Sequence, residues 1–312
     1  MTLRATRMAR QALMTLCVVF FCVTALAIQL FGPKPIVPPP PLSRAEIALL
    51  MKHVSFTNNN TLIFTLVNKP LFRFLLLRRR ALGPHQSSVE RKTVLMCLDP
   101  DCMRACERHK MPNCFQSNEF TSERRVGLYD KEYTNINYQK FKFFELAVAQ
   151  SEHSLMMDAD TLLFRDPFEY ILQRPQYTVQ WQSEQATNGN CNIEANGGML
   201  YIHRDARRFF PYFYRNEATI LNASQMNETD QAYVIPSVTE SGLAGCALPS
   251  KLFVGKCQYG RDGEAHFRHV VSYHANCASQ KQKYRAMTRF LGFHQMATKG
   301  ERPFFFGMEK HI

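Results

Sequence analysis

The chain is short of several signatures that would assign it early. Its 312 residues contain no internal repeat, which excludes solenoid and propeller arrays. Basic residues outnumber acidic ones, 38 to 26, for a formal charge of +12, yet they cluster only at Arg78 to Arg80 and at Arg4, Arg7 and Arg10. No stacking-and-basic motif accompanies the charge, so nucleic acid is not an expected partner. A basic surface fits an anionic small substrate or a charged membrane at least as well. Cys102 and Cys106 have no CxxC pair elsewhere, which argues against a zinc ribbon. From Ala12 to Phe31 charge is absent altogether, and about 20 uncharged residues match the hydrocarbon thickness of a bilayer.

Arg4, Arg7 and Arg10 precede that run. The positive-inside rule then keeps the N-terminus cytosolic and sends the body of the chain into the lumen. The alternative is a cleaved signal peptide, because Ala25-Leu26-Ala27 resembles a small-residue cleavage site; the length of the run favours an uncleaved anchor. Ten cysteines are present, and the eight outside the apolar run lie at 97, 102, 106, 114, 191, 246, 257 and 277. In a lumenal domain an even number implies up to four disulfides of a connectivity that spacing does not fix, with the cluster of four cysteines from Cys97 to Cys114 closing a local loop. Asn59, Asn222 and Asn227 each begin an N-x-S/T sequon, in keeping with the secretory route.

Gly32 to Pro41, GPKPIVPPPP, can form neither helix nor central strand and reads as an extended spacer. The expected organisation is a cytosolic tail (1–11), a transmembrane signal anchor (12–31), a Pro-rich stem (32–58) and a lumenal domain (59–312). TLIFTLVN (61–68) has strand length, the following KPLFRFLLLRRRALG reads as a helix ended by Gly83, and TVLMCLD (93–99) is a second strand. Strand, helix, strand in this order makes a parallel crossover, and continuous apolar strands suit a sheet covered on both faces. INYQKFKFFELAVAQ (136–150) places 138, 141, 144 and 148 on one helix face. Further strands are expected at 177–182, at 196–204 after a Gly-Gly turn, and at 270–277. Helices are expected after Arg204, broken near Pro211, then at 228–238 and at 281–293.

The helix at 136–150 feeds a strand, Leu155 to Met157, that runs straight into Asp158 and Asp160. The two carboxylates therefore stand at the carboxyl end of a parallel strand, where open α/β sheets place ligands. An ionised carboxylate taken out of water without a partner costs several kcal/mol as an order of magnitude. A divalent cation with oxygen ligands is the simplest compensator. Asp166, just ahead of Pro167, reads as a helix N-cap.

MMDADTLLFRDPF, NGGMLYI, TDQAYV and SYHANCASQKQK, in that order, carry a resemblance over roughly residues 60 to 293 to the nucleotide-diphospho-sugar transferases of the GT-A type, glycosyltransferase family seventy-seven, akin to family eight. The resemblance implies an α/β, GT-A-like (Rossmann-like), mixed and mainly parallel sheet flanked by helices, here behind an N-terminal transmembrane helix. It implies a nucleotide-sugar donor, most readily a UDP-sugar, with Mn²⁺ or Mg²⁺ bridging the diphosphate, and a glycan or glycoprotein acceptor at a Golgi or endoplasmic-reticulum membrane. Asp160 should then bind the metal, Asp158 share it or reach the ribose, and His274 complete the shell. Asp230 and Gln231 should lie beside the donor sugar.

Lys281 and Lys283 follow His274 closely enough for one to meet the departing diphosphate. Asn196, Gly197 and Gly198 would let backbone approach the donor. Asn68 and Asp99, ending the first two strands, are candidates for holding the nucleoside by position. The domain is short, Gly-Gly replaces a single-glycine turn, and Cys277 stands where an aromatic is common; these departures touch acceptor choice more than the reaction. Two other readings stay open: an inactive lumenal sugar-binding relative, and a disulfide-stapled surface protein.

Overall fold

The computed structural model describes residues 60–116, 131–185, 187, 190–223, 230–257 and 267–300, with isolated positions before 60. The expected tail, anchor and most of the stem lie outside these residues, as do Asn59 and Asn227. Among the described residues no helix is long and apolar enough to cross a membrane.

The chain alternates strand and helix from Thr61 onward. Strand β1 (Thr61–Val67) leads into helix α1 (Lys69–Leu82), α2 (Gln86–Lys92) and β2 (Thr93–Cys97). Gly83, at φ +49°, ends α1 in a conformation that a residue without Cβ adopts freely. Helix α3 (Pro100–Arg108) and β3 (Cys114–Gln116) follow. Asp99 starts α3 by accepting the Cys102 amide at 2.7 Å, with Pro100 in the first turn. Then come α4 (Lys131–Gln150), β4 (His153–Met157), β5 (Thr161–Leu163), α5 (Phe168–Ile171), β6 (Val179–Ser183) and β7 (Ala195–His203). The chain continues with α6 (Phe209–Ala223), α7 (Val234–Glu240), β8 (Gly245–Ala247), β9 (Phe253–Gly255), β10 (Ser272–His274) and α8 (Gln280–Thr298).

Seven strands form one sheet in the order β3-β2-β1-β4-β7-β6-β8. β1 pairs in parallel with β2 and β4, β2 with β3 and β6 with β8, while β7 runs antiparallel to both neighbours. This is the mixed, mainly parallel α/β sheet expected. Alternation along each strand sends Leu62, Phe64 and Met156 to one face, against Phe141, Phe144, Phe209 and Phe213 of α4 and α6. Ile63, Leu155 and Met157 go to the other face, with Leu82 and Val89 of α1 and α2. Both faces are buried, which is why the strands read as unbroken apolar runs.

Three expectations need correction. The Gly-Gly pair is not a turn before a strand: Asn196, Gly197 and Gly198 lie within β7, beside a register shift at Trp181/Gln182. Pro211 does not break a helix, because α6 starts at Phe209 and Pro211 sits in its first turn, where the missing N–H has no intrahelical partner to lose. The strand at 270–277 shrinks to β10, which with β5 and β9 forms a separate three-stranded sheet in the order β5-β10-β9.

Four disulfides join Cys97 to Cys102, Cys106 to Cys114, Cys191 to Cys246 and Cys257 to Cys277. Cys191–Cys246 bridges 55 residues and ties the segment before β7 to edge strand β8. Closing a loop of that size restricts the unfolded chain, so replacing both cysteines by serine should lower unfolding free energy by about 2–4 kcal/mol. Urea unfolding of the double variant reads this directly, and an unchanged midpoint would show that the bridge contributes nothing.

Candidate functional site

Backbone pairing, not sequence proximity, assembles the site. β4 ends at Met157 and delivers Asp158 and Asp160 to the carboxyl edge of the large sheet. The chain then enters β5, whose Thr161 pairs with His274 in β10, and the Ala275 amide donates to the Asp160 carbonyl at 3.1 Å. That register places the imidazole beside the carboxylates. His274 Nε2 lies 3.4 Å from Asp160 Oδ1 and 4.0 Å from Asp158 Oδ2. One ligand atom from each of the three residues falls within 4.8 Å of the others. Asp160 and His274 are buried, and Asp158 is partly exposed.

Cationic side chains occupy the carboxylates. Lys283 of α8 ion-pairs with Asp160, and Lys140 of α4 lies 3.4 Å from Asp158. Burial alone would raise the Asp160 carboxyl, but the charges and hydrogen bonds of Lys283 and His274 outweigh it and hold the group well below the usual carboxylate range. For Lys283 burial opposes the charge, and Asp160 overcomes it and raises the amine.

A third cation braces the turn from beneath. Arg78 of α1 is buried and donates Nη2 to the Asp158 carbonyl at 2.5 Å, Nε to the Thr161 carbonyl at 2.8 Å and Nη1 to Thr65 Oγ1 at 3.2 Å. Burial lowers its pKa to about 10 against the pull of Asp160 and Asp158. The planar fork spans both ends of the Asp158–Asp160 turn, which a lysine's single ammonium does not do.

His274 is oriented by its neighbours. Gln182 donates Nε2 to the Phe253 carbonyl at 3.3 Å, so its Oε1 is the acceptor 3.1 Å from His274 Nδ1. Nδ1 therefore carries a proton, and Nε2 faces the carboxylates. A lone pair aimed at two carboxylates is unfavourable unless a proton or a cation lies between them, and such an outer hydrogen bond is how metal-binding histidines are held. Gly198 packs under the same ring: a Cβ built there would stand 2.1 Å from His274 Cε1 and 2.6 Å from Nδ1.

The remaining expected residues divide. Asn196 is buried, accepting the Gly198 amide at 2.9 Å and donating to Glu184 at 2.8 Å; Gly197 sits beside it in β7. Lys281 is exposed on the first turn of α8. Asn68 is buried at the start of α1. Asp99 is buried, with its oxygens accepting the Cys102 and Lys69 amides. Asp230 and Gln231 open a 3-10 turn, Asp230–Tyr233, packed against β7 and α4; the Asp230 side chain lies outside the described residues. Arg78, Lys140 and Gln182 escaped the sequence reading. Arg78 reads as part of a basic cluster, and Lys140 and Gln182 carry no motif; the one signal is polarity inside otherwise apolar elements.

The model of the nucleotide-diphospho-sugar transferase family matches residues 88–287, more than half of the chain. Comparison with curated protein sequences gives no match. Among solved structures, a galactosyltransferase, LgtC, in complex with donor and acceptor sugar analogues overlaps 74% of this chain and 95% of its own at 13% identity and TM-score 0.47. Mouse xyloside xylosyltransferase 1 overlaps 70% and 98% at 13% identity and TM-score 0.44. The glycosyltransferase GlyE of Streptococcus pneumoniae overlaps 77% and 64% at 13% identity and TM-score 0.41.

Gly198→Ala should displace His274 from the carboxylates and cost about 1–3 kcal/mol of stability, the usual penalty for overpacking. Chemical denaturation and a crystal structure of the variant check both effects. A wild-type His274 position with unchanged stability would contradict the close-packing argument.

Proposed function

Because the chain belongs to the nucleotide-diphospho-sugar transferase family and is a glycosyltransferase, we propose that it is metal-dependent and that Asp158, Asp160 and His274 hold the ion. The observation that carries this reading is the convergence of two carboxylates and an oriented Nε2 within 4.8 Å at the carboxyl edge of the sheet. Carboxylate oxygens with one imidazole suit Mn²⁺, with Mg²⁺ as the harder alternative. Bound there, the ion would supply positive charge to the leaving diphosphate of a nucleotide-sugar, in first place a UDP-sugar.

The chain's own residues take up the rest. Arg78 fixes the backbone that presents both carboxylates, and Gln182 with Gly198 fixes the imidazole. Lys283 pairs with Asp160 and would be the cation on α8 offered to the diphosphate if an ion took its place, with exposed Lys281 two residues away. By family resemblance Asn196 and the glycines of β7 would lie beside the donor sugar, with Asp230 and Gln231 assigned to its hydroxyls or its anomeric centre. We assign retention of configuration by family, a glycan or glycoprotein as acceptor, and a lumenal domain on a Golgi or endoplasmic-reticulum type II anchor.

The competing reading is an inactive relative that binds sugar without turnover. Residues 42–312, produced through a secretory route and screened against UDP- and GDP-sugars with Mn²⁺, should hydrolyse at least one donor. Asp160→Asn and chelation by EDTA should each lower that rate by about 100-fold or more, on the scale of losing one charge-stabilising group. Donor binding without turnover in folded protein would favour the inactive relative. Turnover that survives both treatments would remove the metal from the reaction.

A further inference from the structure

At the end of β4 opposite Asp158, a second group of metal-ligating side chains lies outside the site described above. His153 and His203 are directly paired residues of antiparallel strands β4 and β7. Paired residues project from the same face, so their side chains meet. Their rings lie 5.1 Å apart, and Glu152, one residue earlier, places Oε1 3.9 Å from each Nε2. All three are partly buried, with side-chain exposures of 21%, 22% and 38% for His153, His203 and Glu152.

Each also has an outer partner. Tyr201 Oη lies 2.9 Å from His153 Nδ1, and Asn60 Nδ2 donates to Glu152 Oε2 at 3.0 Å. Asp205 Oδ2 stands 3.5 Å from His203 Nδ1, which also accepts the Asp205 amide at 3.2 Å. Outer hydrogen bonds hold metal ligands in place; here His153 and Glu152 have such partners, and His203 has one only with its proton on Nδ1.

We propose that Glu152, His153 and His203 form a binding site for Zn²⁺, with the fourth position taken by water. Two imidazoles and one carboxylate are borderline ligands suited to zinc rather than to the harder ions. A tetrahedral centre with bonds of about 2.0–2.1 Å needs ligand atoms about 3.3 Å apart. From 3.9 Å that is a rotamer adjustment, not a backbone movement. On binding, the proton of His203 moves to Nδ1, and its partner changes from the Asp205 amide to the Asp205 carboxylate. The ion pins the start of β4 to the end of β7, the two strands whose other ends carry Asp158 and Gly198.

The test uses the full-length chain stripped of metal, with Asp160→Asn present throughout to weaken the other site. Equilibrium dialysis against Zn²⁺ should show one bound equivalent, and thermal unfolding should shift upward with zinc. His203→Asn and, separately, Glu152→Gln should each weaken binding by about tenfold or more and abolish the zinc-dependent shift. Their zinc-free unfolding temperatures should stay near that of the parent. Should His203→Asn fail to fold, Glu152→Gln gives the same readout. Absence of zinc uptake in the Asp160→Asn background, or uptake unchanged in both variants, would overturn the assignment.

Discussion

The burial of the Asp160 carboxylate is the constraint on which the rest of the site depends. A carboxylate removed from water and left alone would cost several kcal/mol as an order of magnitude, so the fold must keep positive charge against it. Lys283, His274 and the nearby field of Arg78 do this. A buried ion pair is weak evidence for stability, since desolvation consumes much of the Coulombic gain. The arrangement is better explained by what it keeps ready, an ionised oxygen donor beside an oriented imidazole. Under the proposed metal-dependent transfer, that donor set is what an ion would need.

The architecture converts local pairing into this geometry. β4 belongs to the large sheet and β5 to the small one, so the turn holding Asp158 and Asp160 is the junction between them. Arg78 from below and Gln182 from the side are coupled to both sheets: Arg78 through Thr65 and Thr161, Gln182 through its place in β6 and its bond to Phe253 of β9. Movement of one sheet against the other would therefore change the distance between His274 and the carboxylates. The disulfide from Cys257 to Cys277 joins the segments that follow β9 and β10, and so ties together two strands of the small sheet.

The sequence was most legible where periodicity and burial agree. β1, α1, β2 and the Leu155–Met157 run appear as expected because each is a continuous apolar segment with clear ends. Asp158, Asp160 and His274, far apart in sequence, each offer one ligand atom within 4.8 Å of the others. What stayed illegible depends on contacts distant in sequence. Gly198 looks like a turn residue until the ring of His274, 76 positions later, is placed above it. Arg78 looks like surface charge until its carbonyl partners in the 158–161 turn are seen. The three-stranded sheet was hidden because its strands are three residues each, too short for a period to register.

Anomalous diffraction at the manganese edge, from crystals soaked in Mn²⁺ and UDP, locates the ion. One strong peak is expected among Asp158, Asp160 and His274 Nε2, with Lys283 moved off Asp160 toward the diphosphate. UDP bound with no manganese peak there, and with Lys283 still paired to Asp160, would contradict the proposed metal site.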